Sequence, residues 1–163
     1  MDIHAVLEAV ESSEGFKALE PDHYLVHIFS MMDAHTKDEC QVGYYLKKSD
    51  KITVFEYLDG KIKITAPEEA FKEKNYISPL DIGKVKVGMD EALQKADSLV
   101  KESYPSQLLS KVITLLQNLP EFGQVWNITV ITHTFNVVNI KIDAGSGKVI
   151  KHGMESLMGW KKE

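Results

Sequence analysis

The stretch GQVWNITVITHTFNVVNIKIDAGSGKVI, Gly123 to Ile150, decides how this chain is read. Trp126, Ile128 and Val130 alternate with polar or smaller residues, and Val138, Ile140 and Ile142 do the same further on. A period of two is the signature of strands with one buried face. The spacing predicts strands from Val125 to His133 and from Phe135 to Asp143, and a third from Lys148. Asp143-Ala144-Gly145-Ser146-Gly147 is rich in residues that tolerate tight turns and positive φ. The whole is a β-meander, the chemistry of a half-buried antiparallel sheet and not of a reaction.

If Trp126, Ile128, Val130, Val138, Ile140 and Ile142 point inward, alternation sends Thr129, Ile131, Phe135 and Val137 outward, with Asn127, Asn139 and Lys141. A solvated sheet face is normally more polar than this. Thr129, Ile131, Phe135 and Val137 are therefore the candidate partner face, for another protein or a second copy. The competing readings are that the two halves cover each other's outer faces, or that the face is β-favouring and exposed.

Upstream, Ile3, Val6, Leu7 and Val10 fall at helical spacing, which predicts a helix from Asp2 to about Glu11, stopped at Glu14-Gly15. DHYLVHIFSMM, Asp22 to Met32, reads as a strand, followed by a polar loop from His35 to Glu39. QVGYYLKK and KITVFEYL form a hairpin about Ser49-Asp50, and KIKIT follows the Asp59-Gly60 turn as a further strand. PEEAFKEK is expected as a short helix with Pro67 in its first turn. Residues Asn75 to Gly88 connect, with a short strand at Lys84 to Val87. Met89, Ala92, Leu93, Ala96, Leu99 and Val100 mark a helix. Leu108, Leu109, Val112, Ile113 and Leu116 give a second apolar stripe of helical spacing, stopped by Pro120, and read as core rather than as a partner-helix surface. The tail GMESLMGWKKE is a short helix or irregular cap.

The two halves repeat the order helix, strands, short helical segment. Gln41-Val42 lies over Gln124-Val125, Val54 over Val137, Asp59 over Asp143, and PEEAFKEK over MESLMGWKKE. The expected architecture is α+β: tandem helix-plus-antiparallel-sheet repeats, residues 1–78 and 79–163, with helices packed on one sheet face.

The second half resembles the PepSY domain family. Asp90-Glu91-Ala92-Leu93 and Ala96 match that family's helix, Trp126 its strand aromatic, and Asp143, Ser146, Gly147, Lys148 and Val149 its terminal turn. The resemblance spans roughly Val85 to Lys151. It implies a non-catalytic inhibitory or regulatory module, often attached to peptidases or exported proteins. This chain shows no peptidase domain, so the inhibitory role does not transfer directly. The tandem layout also looks like the β-lactamase inhibitor protein, an architectural likeness only, because that family's disulfides need more than the single Cys40.

Composition narrows the function classes. The net charge is −5, and all 19 basic residues are Lys. Without Arg the chain lacks the usual bidentate grip on phosphate and guanine, which argues against nucleic acid as a partner. One cysteine permits no internal disulfide and fits a reducing compartment. The acidic opening MDIHAVLEAVESSEGF is unlike a signal peptide, and no run approaches the roughly 20 apolar residues of a membrane span. A cytoplasmic protein without a membrane partner is the expectation.

The tempting sites are weak. His23 and His27 are four apart, as in a helical zinc pair, but strand spacing sets them roughly 13 Å apart on one face. His35, Asp38, Glu39 and Cys40 enrich the neighbourhood without the tight paired spacing of structural zinc. Gly145-Ser146-Gly147-Lys148 lacks the earlier glycine and the following Ser or Thr of a phosphate loop. Cys40 reads as a small apolar filler, and His133 and Asp143 end successive antiparallel strands, too far apart to act together. No catalytic, cofactor or metal residue is assigned. The sequence favours a non-catalytic binding or regulatory module acting through a sheet face and loops. The alternative is a small-molecule binder or enzyme with a pocket between helices and sheet.

Overall fold

The computed structural model describes residues 1–35, 39–69 and 77–157. Helix α1, Ile3–Glu11, buries Ile3, Val6, Leu7 and Val10, and the Asp2 side chain caps it by accepting from the His4 amide. Ser13 then starts a one-turn helix α2, Glu14–Lys17, by accepting from the Phe16 amide. The Glu14-Gly15 pair expected as a stop therefore opens a second turn.

Among the described residues, nine strands follow the helical start or surround the third helix. They are β1 His23–Met32, β2 Glu39–Leu46, β3 Lys51–Leu58, β4 Lys61–Ile64, β5 Glu68–Glu69, β6 Leu109–Leu119, β7 Gly123–Thr132, β8 Asn136–Asp143 and β9 Val149–Ser156. Helix α3, Met89–Ser103, lies between β5 and β6. Eight strands form one sheet in the order β4-β3-β2-β1-β6-β7-β8-β9, and β5 pairs with β3. Every pairing is antiparallel. The meander read from Gly123 to Ile150 is present as β7, β8 and β9, with Trp126 opposite Ile142 and Ile128 opposite Ile140.

The expected α+β architecture of tandem helix-plus-sheet repeats is corrected. The chain is mainly β, with one continuous sheet and only three short helices among the described residues. The apolar stripe Leu108–Leu116 is not a helix. Most of it lies in β6, hydrogen-bonded to β1 on one side and β7 on the other. A strand with apolar residues on both faces shows no alternation, so its spacing can imitate a helix; the β-branched run Val112-Ile113-Thr114 favours the strand. Because β1 and β6 pair directly, the sheet runs unbroken from the first half into the second.

The internal repeat is corrected with it. Pro67-Glu68-Glu69 leads into the short strand β5, and Gly153 to Ser156 belong to β9, so neither segment opens the matching helix that the alignment required. The remainders of those two segments, Ala70 to Lys74 and Met158 to Glu163, lie outside the described residues. Lys84–Val87 is not a strand either: a 3₁₀ turn spans Ile82–Lys84, and Val85 and Val87 are buried.

The core lies between the helices and one sheet face. Val6 and Val10 of α1, and Met89, Ala92, Ala96 and Val100 of α3, join one apolar cluster with Ile28, Val42, Phe55, Leu116, Trp126, Ile128 and Ile140. Trp126 is fully buried, and its Nε1–H donates to the Val87 carbonyl at 2.8 Å. The buried indole nitrogen thus has its partner, and the connection before α3 is fastened to the sheet. The same connection is held at Leu80, whose amide donates to the Leu25 carbonyl at 2.8 Å.

Candidate functional site

The face of the sheet turned away from the helices carries the remaining chemistry. Register aligns one outward residue from each of eight strands in a single row. In order these are Lys63, Glu56, Gln41, Phe29, Leu115, Asn127, Lys141 and Lys151. Phe29 and Leu115 occupy its centre on β1 and β6. The next row holds Met31 opposite Ile113, Thr129 and Asn139. A third brings Lys111, Ile131, Val137 and Glu155 together. The first row is thus apolar at its middle and polar or charged toward both edges, while the third carries its apolar pair on β7 and β8.

Of the candidate partner residues, Thr129, Ile131 and Val137 lie on this face, half-buried by their neighbours. Phe135 does not continue the row. It sits in the β7–β8 turn at φ 60° and is 60% exposed. β8 begins one residue later, at Asn136, because Thr132 Oγ1 accepts from the Asn136 amide and closes the turn. The central pair Phe29 and Leu115 was missed by sequence reading. Its only signal was the two-faced apolar character of Leu109–Leu119, and that was read as a helix.

A polar network occupies the β7–β8 side. Asn139 Nδ2 donates to Asn127 Oδ1 at 2.8 Å and to Thr129 Oγ1 at 3.2 Å, and Lys141 Nζ donates to Asn139 Oδ1 at 2.6 Å. Lys141 faces Lys151 across the strand pair, a like-charge arrangement that is unfavourable on a sheet. Partial burial first, and Lys151 second, hold the Lys141 ammonium pKa below its usual range.

His23 and His27 are not on one face. Register slips between Leu25 and His27, a bulge that turns the strand's alternation over. His23 packs edge-on against Phe16 and Tyr44 on the helix side. His27 lies on the outer side over Gly43, where an added Cβ would come within 2.3 Å of its ring. Burial depresses the His27 pKa. Cys40 is buried, and desolvation pushes its thiol up to about 12, so it is a filler and not a thiolate. Among the described residues no group of three His, Cys, Asp or Glu side chains converges as a metal site. Asp38 lies outside them.

The Asp143–Gly147 segment is a structural joint. Asp143 Oδ2 accepts from the Ser146 and Gly145 amides at 2.6 and 3.2 Å, which holds its carboxyl pKa below the usual range. The Ala144 carbonyl accepts from the amides of Lys86 and Val87. Gly147 adopts φ +80° and leaves no slack, since a Cβ there would meet Lys95 Cε at 3.2 Å and Val87 Cγ2 at 3.3 Å. Trp126, Asp143 and Gly147, which carry much of the PepSY resemblance, each have a folding role here.

The space between helices and sheet is filled by the side chains of the core cluster. Outside that core, an open groove of about 470 Å³ lies between α3 and Val149 of β9, and a hollow of about 60 Å³ lies beside Cys40. No helix among the described residues is long and apolar enough to cross a membrane.

No known family profile matches the chain, and no curated protein does. The fold is similar to the crystal structure of a presumed lipoprotein from Clostridium difficile 630. The TM-score is 0.63 at 14% identity, over 95% of this chain and 93% of that one. A likeness at that identity shows the fold alone.

Proposed function

We propose that this chain is a non-catalytic binding module that works through the sheet face turned away from its described helices. The observation that carries this reading is the central pair Phe29 and Leu115, with Met31 and Ile113 beside it, on a face that no described helix covers. An antiparallel sheet that leaves one face to water normally alternates apolar-in and polar-out; apolar side chains grouped at the middle of the outer face mark an interaction surface. The PepSY resemblance of the second half points the same way, since such domains work as regulatory modules. The filled helix–sheet space argues against the pocket reading.

The test uses the chain as bait in extracts of cells that make it, beside the variant Leu115→Lys. A defined protein held by the wild type and lost by the variant, with equal melting temperatures, supports the reading. Capture that is identical for both overturns it.

A further inference from the structure

The two sides of the row across the outer face complement each other when one is set against the other from the midpoint. The midpoint falls between Phe29 and Leu115. Second from it stand Gln41 and Asn127, third Glu56 and Lys141, fourth Lys63 and Lys151. Consider a half-turn about an axis parallel to the strands, placed above the midpoint. It lays a second copy face to face on the first, with left positions over right ones. Phe29 then meets Leu115, Gln41 meets Asn127, and Glu56 meets Lys141, each contact made twice. A half-turn about the other in-plane axis would instead lay Lys141 on Lys141. The charges select the first axis.

We propose that the occupant of this face is a second copy of the chain, packed sheet on sheet about a two-fold axis parallel to the strands, with Glu56 of each copy paired to Lys141 of the other. The proposal rests on the binding-face reading above and names its partner. Such an interface is isologous, the commonest kind among soluble oligomers. It also answers the cross-strand pair of Lys141 and Lys151, whose like charges face each other on the sheet. A carboxylate arriving over Lys141 converts that unfavourable pair into a bridged one. Lys63 over Lys151 is the one mismatch. It falls at the two ends of the row, where both side chains are exposed and water screens them.

The size fits as well. Eight strands at roughly 4.8 Å spacing span about 38 Å, and about six residues of each strand span roughly 20 Å. Each copy would bury on the order of 750 Å², close to the roughly 800 Å² per partner of a standard stable interface. Twisted antiparallel sheets stack at about 10 Å within roughly 30° of alignment, and long Glu and Lys side chains accommodate that angle. The described helices lie on the far sides.

Sedimentation equilibrium between about 1 and 100 µM, with charge-exchanged variants, tests the arrangement. The wild type should be dimeric in that range. Glu56→Lys sets two cations together, Lys141→Glu two anions, and each should raise the dimer Kd at least about tenfold. The double variant Glu56→Lys with Lys141→Glu restores opposite charges and should return Kd to within about threefold of wild type. If a single variant melts early, Glu56→Gln and Lys141→Gln replace it, and each should weaken the dimer without a recovery in the pair. A monomeric wild type at about 100 µM overturns the proposal. So do single variants that dimerise as well as wild type, or a double variant no better than the singles. A monomer that still captures a protein through Leu115 sinks only the self-pairing and leaves the binding-module reading intact. A monomer with no Leu115-dependent capture sinks both.

Discussion

Trp126 and Asn127 are adjacent in one strand and meet opposite surroundings. Trp126 is fully buried beneath the helices, with its indole nitrogen bonded to the Val87 carbonyl. Asn127 stands on the outer face, half-buried, bonded to Asn139. The difference repeats across the sheet: Ile28 against Phe29, Leu116 against Leu115, Ile142 against Lys141. The inner face is held by packing that tolerates little change. The outer face keeps apolar and charged groups that the monomer's own core does not use. Stability belongs to one side of the sheet; recognition is the role proposed above for the other.

The sharpest break in that comparison is Trp126→Ala. It leaves a large cavity and an unpaired Val87 carbonyl, and should cost on the order of 3–5 kcal/mol in denaturant unfolding. A near-unchanged unfolding midpoint would show that the inner face is not where stability resides.

Gly147→Ala should rank second, at roughly 1–2 kcal/mol, because the residue needs φ +80° and the added methyl meets Val87 and Lys95. Thermal unfolding with calorimetry reads this directly, and a neutral result would mean the β8–β9 turn relaxes freely.

On the outer face the expectation reverses. Leu115→Lys and Val137→Lys should each move monomer stability by no more than about 0.5–1 kcal/mol, while Leu115→Lys weakens association strongly. If either unfolds the chain as Trp126→Ala does, the division between the faces fails.

The smallest effect concerns Asp143. Its folded carboxyl pKa is depressed, chiefly by the Ser146 amide. A depressed acid stabilises the fold above its unfolded pKa of about 3.9, and that contribution disappears as pH falls through the lower folded value. Asp143→Asn should therefore lower stability modestly at about pH 7, flatten the loss of stability below about pH 4 and leave stability at about pH 2 nearly unchanged. Unfolding curves between about pH 2 and 7 check it; an unchanged acid limb would assign the acid sensitivity elsewhere.

The fold was legible where one face alone was apolar. Trp126 to Val130 and Val138 to Ile142 alternate cleanly, and their strands and inward residues follow from that pattern. It was illegible in β6, which pairs on both sides and carries apolar residues on both faces. There the helical spacing of Leu108, Leu109, Val112, Ile113 and Leu116 was an accident of a doubly apolar strand. The candidate face was found in part, through Thr129, Ile131 and Val137, and its centre was lost with the same strand. Phe135 was placed one residue too far along the alternation, because nothing local announces a positive φ at an aromatic residue.

What the sequence determined by itself is local: the α1 and α3 apolar stripes, the meander, the Asp143–Gly147 turn and the burial of Trp126. These depend on periods of about 3.6 and 2 and on turn chemistry, all carried by residues near one another in the chain. What only the tertiary structure decided is long-range. The pairing of β1 with β6, the bulge that sends His23 and His27 to opposite faces, and the row from Lys63 to Lys151 each depend on strand register between distant segments. No pattern within one strand encodes that register; it is fixed when both strands turn their apolar residues to the same side at once.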